Sequence, residues 1–199
     1  MIPRHLIIGV AVMFVVALST GAYVWHMQGS LAKSVPDADQ THPLPPPGNG
    51  PSEQVTLYVA HDDTGSLRPQ SAQIPLSGGR QERAEQLVKT LLQLYLGESS
   101  PHPIAEGAEV RAVYLVDPGL AVVDLNTAFA EKHRSGILVE ELTVASLVQT
   151  LSSNIPGINR IKFLVEGEER ESLAGHADLS RFYDVAGVDR MISQMQTGQ

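Results

Sequence analysis

The sequence predicts an α+β domain: a mostly antiparallel sheet with two main helices packed on one face, in the order ββα-ββα-ββ. Three observations predict it. Several short stretches alternate apolar and polar residues, as QVTLYVA does at residues 54–60, which is the period of a half-buried strand. Two longer segments repeat apolar residues every three or four positions, the period of a helix with one buried face. Pairs of strand-like stretches precede each helix.

Taken in order, Gln54 to Ala60 turns Val55, Leu57 and Val59 inward, and His61-Asp62-Asp63-Thr64-Gly65-Ser66 reads as a loop. Arg68 to Leu76 reads as a weaker strand with Ala72, Ile74 and Leu76 inward; Pro69 and Pro75 suit an edge. Ser77-Gly78-Gly79 leads into a helix over about Arg80 to Leu96, with Ala84, Leu87, Val88, Leu91, Leu92 and Tyr95 on one face and Gly97 as C-cap. Residues 98–107 are a loop. Glu109 to Val116 alternates at Val110, Ala112, Tyr114 and Val116, and Leu120 to Asn126 returns with Ala121, Val123 and Leu125 on one side. The fixed φ of Pro118 forbids a two-residue type I′ turn, so the hairpin loop is expected to be longer. Asn126 or Thr127 caps a helical turn, Ala128 to Lys132, that sets Phe129 on the core.

Gly136 to Glu169 is the most informative stretch. A helix of about 20 residues carries Leu138, Leu142, Ala145, Val148, Leu151 and Ile155, widened by Ile137, Val144 and Leu147. Asn154-Ile155-Pro156-Gly157 breaks it. Ile161, Phe163 and Val165 then face in from a strand, while Arg160, Lys162 and Leu164 face away. A return strand is expected near Arg170 to Leu173, and an irregular or weakly helical stretch from Arg181.

Outside the domain the reading divides the chain into residues 1–27, a membrane anchor; 28–52, a linker; 53–185, the domain; and 186–199, a tail. Leu6 to Trp25 holds 20 residues without a charge, long enough to cross a hydrocarbon layer of about 30 Å. Tyr23 and Trp25 suit the interface, and Arg4 puts positive charge on the cytoplasmic side. A cleaved signal peptide, with Ala17-Leu18-Ser19 as its small-residue site, is the competing reading. The linker centres on His42-Pro43-Leu44-Pro45-Pro46-Pro47-Gly48-Asn49-Gly50-Pro51, a composition of extended or coiled spacers.

Hydrophobic residues are 43% of the 199 and aromatics only 5%, so the core is mostly aliphatic. The net charge of −8 falls on residues 52–199, with 20 Asp/Glu against 12 Lys/Arg, a poor match for nucleic acid. The absence of cysteine excludes disulfides, thiol catalysis and attachment of a lipid through an N-terminal cysteine.

Several pieces, in sequence order, resemble the GerMN domain family over about residues 54–180: Val55-Thr56-Leu57-Tyr58; Leu91-Leu92-Gln93-Leu94; Leu120 to Asn126 with Phe129; Leu147-Val148-Gln149-Thr150-Leu151; Ile155 to Gly167; and Gly175-His176-Ala177-Asp178-Leu179-Ser180. The resemblance implies an extracytoplasmic module, often tethered to the envelope, similar in fold to the ring-building modules of secretion and sporulation assemblies. It implies no catalytic residue.

Candidate chemistry is sparse. His61-Asp62-Asp63 brings three possible metal ligands together, but a solvated turn is the favoured reading. His176 and Asp178 read as turn chemistry. Asp124, between Val123 and Leu125, reads as a strand residue facing away from the core or supporting the Asn126 turn. Glu140, Glu141, Glu166, Glu168, Glu169 and Glu171 read as solvated faces or turns, with Glu140 and Glu141 favourable near a helix start. Ser77-Gly78-Gly79 could hold an anion on free N–H groups, but a plain helix start is favoured. No GxSxG, SxxK, P-loop or GxGxxG occurs. No catalytic, cofactor or metal residue is therefore assigned. The expected role is a non-catalytic, single-pass membrane-tethered module of the bacterial cell envelope. Its partner is an envelope protein or a second copy, met through a sheet edge or the uncovered sheet face. The alternatives are a peptidoglycan or small-ligand binding module, and a hydrolase using Asp124 or Asp62/Asp63.

Overall fold

The computed structural model describes residues 50–197. The expected anchor at 6–25 and the linker up to residue 49 lie outside the described residues. Among the described residues no helix is long and apolar enough to cross a membrane.

The elements are β1 (Ser52–His61), β2 (Ser66–Pro75), α1 (Arg80–Leu96), β3 (Val110–Val116), β4 (Leu120–Leu125), α2 (Thr127–Glu131), α3 (Ile137–Asn154), β5 (Arg160–Val165), β6 (Tyr183–Asp184) and α4 (Val185–Thr197). The class is α+β, as the periodicity predicts. The strands form two sheets rather than one: a β1-β2 hairpin, and a four-stranded sheet in the order β3-β4-β5-β6. β1/β2, β3/β4 and β5/β6 are antiparallel, and β4/β5 is parallel because α3 carries the chain back between them.

The separation of the sheets has a cause in α3. Ser146, Thr150 and Asn154 form a stripe spaced by four residues, and all three meet the backbone of β1. Thr150 Oγ1 accepts from Tyr58 N at 2.9 Å, and Ser146 Oγ donates to Tyr58 O at 2.6 Å. Asn154 accepts from Thr56 N at 3.3 Å and donates to Thr56 O at 2.7 Å. The Tyr95 hydroxyl of α1 takes the Ala60 N–H at 2.8 Å. Four helical residues advance about 6 Å and two strand residues about 6.6 Å, so a helix running against a strand keeps pace with its outward N–H and C=O groups. α3 therefore stands where a neighbouring strand would pair.

Both long helices carry their predicted faces. Ala84, Leu87, Val88, Leu91, Leu92 and Tyr95 of α1 are all buried, as are Leu142, Ala145, Val148 and Leu151 of α3. Asn126 caps α2 through its side chain, which accepts from Phe129 N at 3.0 Å, and Phe129 is buried. Ile137 and Leu138 depart from expectation: they are 63% and 43% exposed, because the first turn of α3 runs past the edge of the core. Leu76, expected inward, follows the end of β2 and is exposed, while Leu67 at the other end supplies the buried contact.

β3 shows the largest phase error. The pairing register shifts between Val110 and Ala112, and a bulge moves every later side chain to the other face. Val110 and Val113 face the core. Ala112, Tyr114 and Val116 lie on the opposite face beside Val122 and Leu120, and Tyr114 and Val116 are about half exposed.

The expected strand near Arg170–Leu173 is not formed. That stretch closes a loop on itself, with Leu173 N donating to Ala177 O and Leu179 N to Glu171 O. The partner of β5 is instead Tyr183–Asp184. The tail beyond it continues as α4, and Val188 joins the core.

The β3–β4 loop is Asp117-Pro118-Gly119 and contains a cis Asp117–Pro118 peptide. Gly119 has φ +79, and a Cβ there would sit 2.6 Å from Gly157 O. The space is closed because the Gly119 carbonyl accepts from both Asn159 N and Arg160 N. Gly119→Ala is expected to destabilise the domain by about 2 kcal/mol or more, measured as a lower urea midpoint at unchanged slope.

Candidate functional site: a buried histidine cluster

Four segments, two of them distant from α3 in sequence, bring their polar groups to one place at α3. The β1–β2 turn supplies Asp62, the loop after α1 supplies His102, the segment after α2 supplies His133 and Arg134, and α3 supplies Thr143. His102 and Thr143 are fully buried and His133 nearly so. His102 Nδ1 lies 2.5 Å from Asp62 Oδ1, and its Nε2 lies 2.6 Å from Thr143 Oγ1. His133 Nε2 approaches the same hydroxyl at 2.9 Å, and its Nδ1 meets the Arg134 carbonyl oxygen at 2.8 Å. Arg134 also pairs with the other oxygen of Asp62. The Tyr95 ring stands edge-on to His102, with centroids 4.9 Å apart.

Burial tends to raise the Asp62 carboxyl, but the bonds from Arg134 and His102 outweigh it and hold it below the usual carboxylate range. Burial pushes both His102 and His133 below the ordinary histidine value of 6.5, with Asp62 and the Arg134 carbonyl oxygen as the respective main opposing influences. Burial likewise raises the Tyr95 hydroxyl to about 12. A histidine whose folded pKa is lowered stabilises the fold above the unfolded value, and that stability is lost as pH falls below it. Thermal midpoints are therefore expected to drop between about pH 7 and about pH 5, and a His133→Gln variant to show a shallower drop.

The order Asp62–His102–Thr143 has the connectivity of a charge-oriented hydroxyl triad. It is no nucleophile in place: Thr143 sits within a helix, its hydroxyl also contacts Val139 O at 2.9 Å, and nothing of it reaches solvent.

Of the residues singled out from the sequence, Asp62 and Glu140 play parts other than those expected, and the rest take the following places. Asp62 is no solvated turn residue but the acid end of the cluster. Asp63 is exposed, 4.0 Å from His61. Asp124 is buried, accepts from Gly167 N at 2.8 Å and from Arg111 at 3.0 Å, and so fixes the turn after β5. Glu166 accepts from the Thr127 N–H at 2.9 Å. Asp178 accepts from Ser180 N at 2.9 Å. Gly78 N donates to Glu82, making the Ser77-Gly78-Gly79 segment a helix start that uses its own carboxylate.

Glu140 is the largest departure. It is fully buried, and its carboxylate accepts from the N–H groups of Gly136, Ala174, His176 and Ala177 and from His176 Nδ1, at 2.9–3.1 Å. Burial alone would raise its pKa; these donors, Ala177 N–H first, pull it down to about 2. The 173–178 loop is thus wrapped around a permanent anion. His102, His133 and Thr143 gave no signal in the sequence, since they lie 10 to 41 residues apart and share no motif spacing. Among the described residues no group of three His, Asp or Glu side chains could hold a metal ion.

Comparison with known proteins agrees with the architecture. The tandem GerMN domains of the sporulation protein GerM from Bacillus subtilis share 18% identity at a TM-score of 0.50, over 66% of this chain and 46% of that one. The chain thus spans about half the length of that tandem structure. The first GerMN domain of the same protein gives 19% identity and a TM-score of 0.44, covering 65% of this chain and 98% of that one. A protein described as a candidate lipoprotein from Clostridium perfringens gives 21% and 0.46, covering 67% and 87%. No curated protein matches the chain. The profile of the Germane family, described as sporulation and spore germination, matches residues 56–171, more than half of the chain. The chain belongs to this sporulation and spore germination family, and residues 56–171 form a GerMN-type domain.

Proposed function

We propose that the protein is a non-catalytic, membrane-tethered module on the outer side of the bacterial cytoplasmic membrane, where it binds another envelope protein. One observation carries this reading. The groups able to do acid–base chemistry, Asp62, His102, Asp124, His133 and Glu140, are bonded into the fold, while apolar side chains are left on an open sheet face. Tyr114 and Val116 are 48% and 47% exposed on that face, beside Leu120 and Val122. Such a patch is ordinary for a protein contact. The uncharged segment 6–25 supports the tether. The family's description and the sporulation role of the Bacillus subtilis protein support an envelope setting.

The test is photo-crosslinking of the full chain in its native membrane from a probe at position 114, with a probe at the exposed Gln70 of β2 as control. The expected result is a discrete heteromeric adduct from position 114 alone. A chain–chain adduct would make the partner a second copy. No adduct from 114, or equal labelling from both positions, would remove the open face as the binding surface.

A further inference from the structure

The hydrogens of the buried cluster can be counted. His102 Nδ1 faces a carboxylate oxygen and His133 Nδ1 faces a carbonyl oxygen, both pure acceptors, so each ring carries a hydrogen at Nδ1. A neutral imidazole has only one N–H. In the neutral cluster both Nε2 atoms are then bare lone pairs, and both point at Thr143 Oγ1, at 2.6 and 2.9 Å. The single Thr143 hydrogen has three acceptors within reach: the two Nε2 atoms and Val139 O. At least one nitrogen is left facing an oxygen at hydrogen-bond distance with no hydrogen between them.

One added proton resolves the conflict. Placed on His102 Nε2, it is donated to Thr143 Oγ1, and the Thr143 hydroxyl is free to donate to His133 Nε2. His102 becomes an imidazolium beside the Asp62 carboxylate. The surrounding charges agree. The groups that face the two rings are Asp62 from the β1–β2 turn, Tyr95 from α1, Arg134 beside His133, and Glu140 and Thr143 from α3. With Asp62 and Glu140 anionic and Arg134 cationic, the site carries one net negative charge, which the proton cancels. Asp62 is partly open to solvent and Arg134 about half exposed, so the acid end gives the proton a path.

We propose that His102, Thr143 and His133 share one added proton, and that its gain closes, and its loss opens, a tie holding the β1–β2 turn and the loop after α1 against α3. Burial opposes the charge, which places the uptake on the acid side of the ordinary histidine range. At neutral pH Thr143 serves one ring only and the His102 contact relaxes. In mild acid all four segments are joined through one hydroxyl. The domain thus contains a proton-operated fastening outside its open sheet face.

The test uses the full chain in detergent micelles, labelled with ¹⁵N at histidine, with ring nitrogens followed from about pH 8 to about pH 5. The expected result is that His102 passes from the Nδ1–H form to the doubly protonated form below 6.5, and that the His133 ring shifts at the same midpoint while remaining neutral. Thr143→Ser keeps the shared midpoint, and Thr143→Val splits it into two. His102 remaining singly protonated to about pH 5, or two independent midpoints in the unaltered protein, would overturn the proposal. The titration of the unaltered protein decides the matter even if Thr143→Val fails to fold.

Discussion

Glu140→Ala is expected to cost about 3–5 kcal/mol, enough to unfold a domain of ordinary stability. The carboxylate is enclosed and is the common acceptor of four backbone N–H groups and one imidazole N–H. Removing it leaves these donors facing a cavity, and each buried donor without a partner costs about 1–3 kcal/mol. Glu140→Gln keeps the volume but replaces one acceptor oxygen with an NH2 group that points at N–H donors, so it recovers little. Equilibrium unfolding in urea reads the loss. If Glu140→Ala unfolds within about 1 kcal/mol of the unaltered protein, the carboxylate is no keystone of the 173–178 loop. The same residue sets an acid limit. With its pKa at about 2 in the fold against 4.5 unfolded, its contribution is complete above 4.5 and is lost as pH falls from there toward 2.

The second large effect is expected from the polar stripe of α3. Ser146→Ala with Thr150→Val removes both side-chain partners of Tyr58, leaving a half-buried N–H and C=O unpaired along β1. The combined cost is about 3 kcal/mol, less than the sum of the single changes because both act on one residue's backbone. Amide exchange at Tyr58 should quicken selectively, while amides of β4 and β5 follow the global stability. Unchanged exchange at Tyr58 would mean that water replaces the two side chains without loss, and the stripe would lose its explanatory role.

Much of the fold was legible because burial leaves a period in the sequence. The bounds of α1 and its six buried residues follow from spacing alone, as do Val55, Leu57 and Val59 of β1, Ala121, Val123 and Leu125 of β4, and Ile161, Phe163 and Val165 of β5. The errors share one kind of cause. A single extra residue between Val110 and Ala112 inverted β3, and nothing in VRAVYLV announces the bulge. Arg170–Leu173 looks like a strand by position, but its backbone bonds are spent within its own loop around Glu140. Lys162 reads as an outward strand residue, yet Leu179 and Ser180 place carbonyl oxygens 3.1 and 2.5 Å from its Nζ, and it is buried.

The polar interior was illegible for a further reason. Glu140, Thr143, Ser146, Thr150 and Asn154 fall outside the apolar stripe of α3, and polarity is the only local clue to a helix's outer face. Here that side meets the β1 edge and the histidine cluster. Such residues are buried only because partners from distant segments supply their hydrogen bonds. His102 and Asp62 are 40 residues apart, and Asp62 and Arg134 are 72.

By itself, then, the sequence determined the α+β class, the two amphipathic helices and most of the apolar core, because transfer of apolar surface from water depends on composition and period alone. Only the tertiary structure decided that there are two sheets, that Tyr114 and Val116 lie on an open face, and that Asp62, His102, His133 and Thr143 form one cluster. Hydrogen bonds and strand register are directional and pairwise, and their partners are known only once the chain has closed on itself.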